Sequence, residues 1–246
     1  MRTGIIKTLI AIIGLLAASI QDYKTRIIDN RIWIAMISIG VIVTVYEILK
    51  YGTYIFVAIG VLPTLILSGI LWFLGLYGGA DVKALISLSL LLPYPPFPTR
   101  NPVFVSFPLT VFINANILSL SLPVFNLIHN SFLLIKKKPI FEGFDEPFHR
   151  KLIAVIVGRP IESSKAGKVR FHAIMEKNIN GAKKFVFLPE IESYIKRRDI
   201  FGNNYVWVTP GIPFIVFLTF SLILSLLYGD LTIALLVRIV NPILEG

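Results

Sequence analysis

The segment Tyr77-Gly78-Gly79-Ala80-Asp81-Val82-Lys83 joins two long uncharged apolar runs and carries a carboxylate, Asp81, where the second run begins. Another carboxylate, Asp22, follows directly after the first apolar run of the chain. A carboxylate beside a membrane-spanning helix is costly and needs water or a partner. Two of them at matching helix ends therefore predict one shared, water-filled site on one side of a bilayer.

The composition is typical of helical membrane proteins. Apolar residues make up 55% of the 246 residues and the mean hydropathy is +0.78, whereas soluble domains have about 45–50% apolar residues. The apolar residues also cluster into long blocks, as they do in membrane proteins. The chain has no cysteine, which excludes disulfides, thiol catalysis and a four-cysteine zinc site.

We expect neither a metal nor an organic cofactor. The three histidines, His129, His149 and His172, are scattered, and there is no His-Glu-x-x-His zinc motif. No serine lies in a nucleophile elbow. The two aspartates remain as the chemistry-bearing groups, and a pair of carboxylates is what an aspartic protease uses to activate water.

The apolar runs predict an all-α integral membrane protein with about six transmembrane helices. Their approximate ranges are 4–20, 32–49, 54–76, 81–92, 103–135 and 209–228, with a last apolar stretch, 231–244, as an interfacial or short terminal helix. The fourth helix is short, about 18 Å against a hydrocarbon core of about 30 Å. The fifth could be divided into two spans at Pro123, but we interpret it as one long, tilted or kinked crossing.

The basic residues predict the orientation. If the first helix ends inside, the inside loops hold 19 of the 24 lysines and arginines and the outside holds five. Because basic residues prefer the cytoplasmic side, the N-terminus is expected outside, and Asp22 and Asp81 at cytoplasmic helix ends. Dividing the fifth helix or omitting the fourth would move the most basic segment outside, which is why both are kept.

A polar segment between the fifth and sixth helices, 136–206, predicts a small, mostly β (α+β) cytoplasmic domain. Leu152–Val157 and Phe185–Leu188 have the composition of short strands. Asn180-Gly181 is a hairpin turn signal, and residues 203–207 are expected to add an edge strand. The pairing is expected to be mostly antiparallel.

The predicted organisation is 1–135 for the first five helices with the catalytic loops, 136–206 for the cytoplasmic domain, and 207–246 for the sixth helix and the C-terminal segment. Residues 136–204 hold fifteen basic and eight acidic residues, within a chain of net charge +10. Anionic lipid heads attract such segments, and there is no nucleic-acid-binding module. We therefore expect membrane lipid as a partner and no nucleic acid.

Each aspartate also has a structural interpretation. Asp81 could be the N-cap of the fourth helix, a role worth about 0.5–2 kcal/mol. Asp22 could pair with Lys24 or Arg26 in a solvated loop, for about 0–1 kcal/mol. Two other functions are open: an ion- or proton-coupled transporter using the same aspartates, and a membrane scaffold that docks a partner through 136–204.

The glycine loop resembles the signature of a protease family. Gly78-Gly79-Ala80-Asp81 is similar to the Gly-x-Gly-Asp motif of intramembrane aspartic proteases, with Ala80 in place of the second glycine. Asp22–Asn30 resembles the Asp-x-Lys/Arg stretch and Ile-x-Asn step of the type IV prepilin peptidase branch, which Lys83 also matches. Pro210–Phe214 resembles the opening of the last helix in that branch. Without cysteines for a zinc-binding domain, the chain looks most similar to archaeal preflagellin peptidases.

This resemblance implies six transmembrane helices and catalysis by Asp22 and Asp81 without a cofactor. It also implies cleavage of a short basic leader, after a glycine, from archaellin or type IV pilin-like precursors at the cytoplasmic face. The scissile segment must be extended, and broken backbone near the aspartates could pair with it by strand addition. The residues expected to bind substrate are Gly78, Gly79, Ala80, Lys83, Pro210, Gly211 and Pro213.

Overall fold

The structure is a computed structural model that describes residues 2–103, 105–166, 171–179, 181–187 and 204–244. Its helices are α1 (Arg2–Thr25), α2 (Asn30–Tyr51), α3 (Tyr54–Phe73), α4 (Gly79–Leu91), α5 (Phe107–Ser119), α6 (Ser121–Ile135), α7 (Phe148–Val157), α8 (Ser163–Ala166), α9 (Phe214–Tyr228) and α10 (Leu231–Leu244). Its strands are β1 (Arg159–Glu162), β2 (His172–Ile174), β3 (Glu176–Ile179), β4 (Ala182–Phe185) and β5 (Tyr205–Pro210).

The chain divides into two compact units. One comprises residues 1–119 and 213–246, and the other comprises 120–212. The second unit begins at Leu120, the residue between α5 and α6, inside the predicted fifth helix.

Helix α4 forms the centre of the first unit. It packs against α1, α2, α3, α5 and α9. Its buried side chains are Val82, Ala84, Leu85, Ser87, Leu88, Ser89 and Leu91. A helix that is apolar on all sides is typical of the interior of a bundle, so neighbouring helices enclose α4.

Small residues bring α2 and α3 close to the end of α4. A Cβ added at Gly40 would lie 3.1 Å from the backbone of Leu91, and one at Gly60 would overlap the carbonyl of Pro93. Thr44 Oγ1 donates a 2.7 Å hydrogen bond to Leu90 O, a carbonyl near the helix end, where intrahelical donors run out. Such close backbone approach and polar pairing are how helices associate in membranes.

Helices α1 and α9 meet around two hydroxyls. Ser19 Oγ and Thr219 Oγ1 are 2.7 Å apart, and Ser19 Oγ also donates to Ile215 O at 3.2 Å. Ser19 lies one turn before Asp22, and Ile215 lies in the first turn of α9. The contact therefore fixes the C-terminal end of α1 against the N-terminal end of α9.

The mostly helical architecture predicted from the sequence is confirmed. Within the described ranges, four helical runs are long and apolar enough to cross a membrane: 3–25, 30–51, 54–73, and 107–135, which α5 and α6 form together. The pair α9 and α10, bent by 53°, would be a fifth. The expected short helix in the last apolar stretch is present as α10.

The second unit contains the predicted sheet-rich region, and its pairing is antiparallel. A three-stranded sheet has the order β1-β5-β2, and β3 pairs with β4. Trp207 of β5 is fully buried and donates its indole N–H to Ile140 O at 2.6 Å. Its ring packs on Phe141 and Phe185, so aromatic contacts join the two sheets.

The hairpin predicted at Asn180-Gly181 is confirmed. Ile179 pairs with Ala182 across the turn, and Gly181 has φ +83, a conformation that glycine adopts readily. Asn180 itself lies outside the described residues.

Three strand predictions need correction. The strand predicted at Leu152–Val157 is wrong, because these residues belong to helix α7. Periodicity cannot distinguish a short apolar run in a strand from one in a helix. Of Phe185–Leu188, only Phe185 lies in a strand, and Leu188 lies outside the described residues. The strand that was expected at the edge, β5, is instead the central one, since it pairs with β1 on one side and with β2 on the other. Its middle residues, Val206 to Val208, are fully buried.

Candidate active site

Asp22 lies in the last turn of α1, not in the predicted loop, because the helix continues to Thr25. The residue is only 8% exposed. Its Oδ1 lies 3.5 Å from Nη1 of Arg26, and the backbone of Ile215 also interacts with the carboxylate. Its Oδ2 is buried without a hydrogen-bond partner among the residues that the structure describes. The predicted pairing with Arg26 is therefore present, and it leaves one carboxylate oxygen unpaired.

Asp81 is half-buried in the first turn of α4. Its Oδ2 accepts a hydrogen bond from the backbone N–H of Gly78 at 3.1 Å. Gly78, with φ −67 and ψ 154, is the N-cap, so the interpretation of Asp81 as the N-cap is wrong. The Asp81 carboxylate instead reaches back from inside the helix to the residue that precedes it.

The two carboxylates interact electrostatically. The charges of Asp22 and Arg26 both act on the Asp81 side chain, and Arg26 pairs directly with Asp22. The end of α1 and the start of α4 supply these groups, and the two helices are in contact. A neighbouring carboxylate opposes ionisation of a carboxyl group, and a neighbouring guanidinium favours it.

An aromatic cluster positions the loop before Asp81. The rings of Tyr77, Phe112 and Phe214 lie with centroids 4.9 to 5.9 Å apart, and the Tyr77 hydroxyl donates to Oδ1 of Asn116. Burial raises the pKa of the Tyr77 phenol, which keeps it a neutral donor. These contacts tie the residue before Gly78 to α5 and α9.

Sequence reasoning missed this cluster as part of the site. Aromatic residues are frequent throughout the apolar runs, and their identity does not show which of them face the protein interior. The position of Tyr77, directly before the glycine pair, was the available signal.

Lys83 connects the N-terminal ends of α4 and α2. Its Nζ donates to Oδ1 of Asn30 at 2.8 Å, and Asn30 is the first residue of α2. Asp29 caps that helix by accepting from Arg31 N at 2.9 Å. Gln21 Oε1 accepts from Asp29 N at 2.7 Å, so the first loop is anchored to the turn that carries Asp22.

The other predicted substrate-binding residues fall into two groups, one in each compact unit of the chain. Gly79 and Ala80 open α4 beside Asp81, and a Cβ at Gly79 would meet nothing within 4 Å. Pro213 is the N-cap of α9. Pro210 and Gly211 belong to the second unit, where Gly211 N donates to Phe171 O at 2.9 Å.

Metal-binding side chains are not grouped in the described ranges: no three His, Cys, Asp or Glu residues there are arranged to hold an ion.

The structure combines several helices that are long and apolar enough to cross a membrane with two carboxylates near the ends of two helices that are in contact. The model of the type IV leader peptidase family matches residues 9–124, and that of the archaeal peptidase A24 C-terminus, type II, matches residues 150–231. The first match contains both aspartates and most of the helical unit.

Known proteins agree with these matches. A preflagellin peptidase of Methanococcus voltae is 31% identical over 90% of this chain and 94% of its own length. One from Methanocaldococcus jannaschii is 27% identical over 95% and 98%. A prepilin peptidase of Methanothermobacter thermautotrophicus is 30% identical over 65% of this chain and 44% of its own length.

The chain belongs to the type IV leader peptidase family. It is a protease of the leader-peptide-cleaving type, and the resemblance read from the glycine loop is confirmed. Each of these relatives is named as a peptidase, so they do not support the transporter alternative.

Proposed function

We propose that this protein is an aspartic endopeptidase that removes the short basic leader from preflagellin or a type IV pilin-like precursor at the cytoplasmic face of the membrane. The observation that carries the proposal is the contact between α1 and α4, with Asp22 in the last turn of α1 and Asp81 in the first turn of α4, near enough for the charge of Asp22 to act on Asp81. The names of the full-length relatives, which are preflagellin peptidases, supply the substrate class.

In the proposed mechanism, one carboxylate of the pair is ionised and the other protonated. The ionised group takes a proton from water while the protonated one polarises the scissile carbonyl. The unpaired Oδ2 of Asp22 is the oxygen suited to receive the proton of the attacking water. The Gly78 N–H on Oδ2 of Asp81 holds the second carboxylate in a fixed orientation.

The proposed topology has six crossings. They are α1, α2, α3, α4, the α5–α6 run, and α9. Helix α4 crosses as a short central helix, which its enclosure by neighbouring helices supports. Residues 136–206 then form a cytoplasmic insert between 1–135 and 207–246, with the N-terminus outside, in line with the excess of basic residues in that insert.

The proposed substrate is an apolar helix preceded by an extended leader. The leader lies beside the start of α4, where Gly78, Gly79 and Ala80 offer little side-chain bulk, and near Pro213, the non-helical residue directly before α9. Backbone that is not in a helix can pair with an extended peptide. Lys83, Pro210 and Gly211 are proposed as further contacts.

Incubation of a leader-bearing precursor with membranes that contain this chain tests the proposal. The variants Asp22→Asn and Asp81→Asn keep side-chain size while removing the ionisable group, and each is expected to abolish formation of the shortened product. Asp29→Asn is the matched control, because asparagine is as good an N-cap as aspartate, and it should cleave at the normal rate.

Cleavage at the normal rate by either dyad variant would contradict the assignment. Circular dichroism and detergent-solubilised size-exclusion profiles of the variants show whether a loss of cleavage comes from chemistry or from misfolding.

A further inference from the structure

Helix α7 turns its apolar side outward. Its exposed large apolar residues, 37% to 80% accessible, are Phe148, Leu152, Ile153, Ile156 and Val157. Its charged residues, Arg150 and Lys151, are only partly exposed and contact the protein. Arg150 pairs with Glu146 at 2.9 Å and donates to Phe185 O at 2.6 Å. Lys151 Nζ lies 5.7 Å from the centre of the Phe141 ring. A surface helix in water is expected to show the opposite arrangement.

The C-terminal carbonyls of α7 are all satisfied within the protein. Ala154 O accepts from Gly158 N at 2.9 Å, Val155 O from Asn130 Nδ2 at 2.8 Å, Ile156 O from Asn126 Nδ2 at 3.3 Å, and Val157 O from Thr209 Oγ1 at 3.2 Å. In water, solvent can satisfy the last carbonyls of a helix. In lipid no solvent donor is present, so every such group needs a partner within the protein.

Two of these donors belong to a helix that is suited to lipid. Asn126 and Asn130 are buried residues of α6, the second half of the candidate membrane span 107–135. The exposed apolar side chains of α6 include Val124, Phe125, Ile128, Phe132 and Ile135. Helix α7 packs against α6. Its exposed apolar face therefore lies next to a helix that belongs to a candidate membrane span.

Basic residues follow this apolar surface. Lys136, Lys137 and Lys138 come directly after α6 and are exposed. Lysines at the end of an apolar helix contact anionic headgroups and mark the edge of the hydrocarbon layer.

We infer that α7 is a monotopic interfacial helix, which lies against α6 and inserts its outward apolar face into the lipid at the boundary between headgroups and acyl chains. Its partner is the bilayer itself. An amphipathic helix held in this way binds through its buried apolar area and its flanking basic residues. The inference requires that the chain is a membrane protein, and it does not depend on the assignment of the catalytic aspartates.

The absence of cysteine allows a direct test with the full-length chain. The variant Leu152→Cys is labelled with an environment-sensitive fluorophore and reconstituted into phosphatidylcholine–phosphatidylglycerol vesicles, with and without lipids that carry a nitroxide quencher. Ile128→Cys in α6 is the reference for a lipid-exposed site. Lys177→Cys, an exposed position of β3, is the reference for a site in water.

We expect quenching at Leu152→Cys to be severalfold greater than at Lys177→Cys and similar to that at Ile128→Cys. Quenching at the level of Lys177→Cys would overturn the inference. Blue-shifted emission without quenching would also overturn it, because protein would then cover the face. Ile153→Cys, on the same face, is a second reporter if Leu152→Cys does not reconstitute. Leader cleavage is not the readout, so failure of the proposed function would leave this result unaffected.

Discussion

The backbone N–H of Gly78 and Oδ2 of Asp81 are 3.1 Å apart across the start of α4. The glycine loop therefore holds one carboxylate of the proposed dyad through its main chain. A backbone N–H at hydrogen-bonding distance restricts the orientation of the oxygen that accepts from it, so the position of Gly78 directly affects the geometry of Asp81.

Removing this donor should slow cleavage. Gly78→Pro keeps a backbone compatible with φ −67 but has no N–H. Leaving a hydrogen-bond acceptor without its donor costs about 1–3 kcal/mol, which is expected to lower the cleavage rate about 10- to 100-fold. Gly78→Ala is the matched variant, since it keeps the N–H and adds only a Cβ, 3.2 Å from Oδ2 of Asp81. Initial rates on a leader-bearing precursor distinguish the two; equal rates would show that the hydrogen bond is unimportant.

The Tyr77–Asn116 hydrogen bond should couple the loop to α5. Tyr77→Phe removes the hydroxyl that donates to Asn116 but keeps the ring between Phe112 and Phe214. We expect about 1 kcal/mol less stability and a reduced kcat with little change in KM. A double-mutant cycle with Asn116→Ala measures the coupling. Additive effects on both stability and kcat would mean that the two side chains act independently.

A buried ion pair should stabilise the N-terminal part of α1. Lys7 Nζ lies 2.7 Å from Oε2 of Glu47, and both side chains are almost fully buried. Lys7→Met or Glu47→Leu leaves one buried charge without its partner, at an expected loss of about 3–5 kcal/mol in the free energy of unfolding. The double variant removes both charges and should recover most of that loss. Denaturant titration in detergent micelles provides the measurement, and a double variant as unstable as the single ones would contradict this account.

Tyr94 should make stability depend on pH in the alkaline range. Burial, together with its 2.8 Å hydrogen bond to Glu47 Oε2, raises the pKa of Tyr94 from 10.0 to about 12. Because the folded-state pKa lies above the unfolded one, the stabilisation by Tyr94 is fully present below pH 10 and is lost as the pH rises through 12.

The corresponding measurement compares the wild type with Tyr94→Phe. The difference between their free energies of unfolding should be constant from pH 7 to 9 and shrink as pH increases above about 10. A difference that grows in this range would have the wrong sign for a raised pKa.

Much of this protein could be predicted from residue types and their order. The apolar runs indicated a mostly helical chain with several candidate membrane spans, and Asn180-Gly181 indicated the hairpin. The positions of Asp22 and Asp81 beside apolar runs, together with the glycine loop, led to the protease family that the comparisons show. These features are local, because hydropathy, charge and turn preference belong to short segments.

Only the tertiary structure decided which apolar residues lie inside. It showed that α4 lies at the centre of the helical unit and that Tyr77, in the loop before α4, packs against Phe112 and Phe214. It also showed that 148–157 is a helix with exposed apolar residues. In a soluble protein, the alternation of polar and apolar residues reveals the buried face. In a membrane protein, lipid and protein interior are both apolar, so hydropathy does not distinguish them, and the packed three-dimensional arrangement is needed to do so.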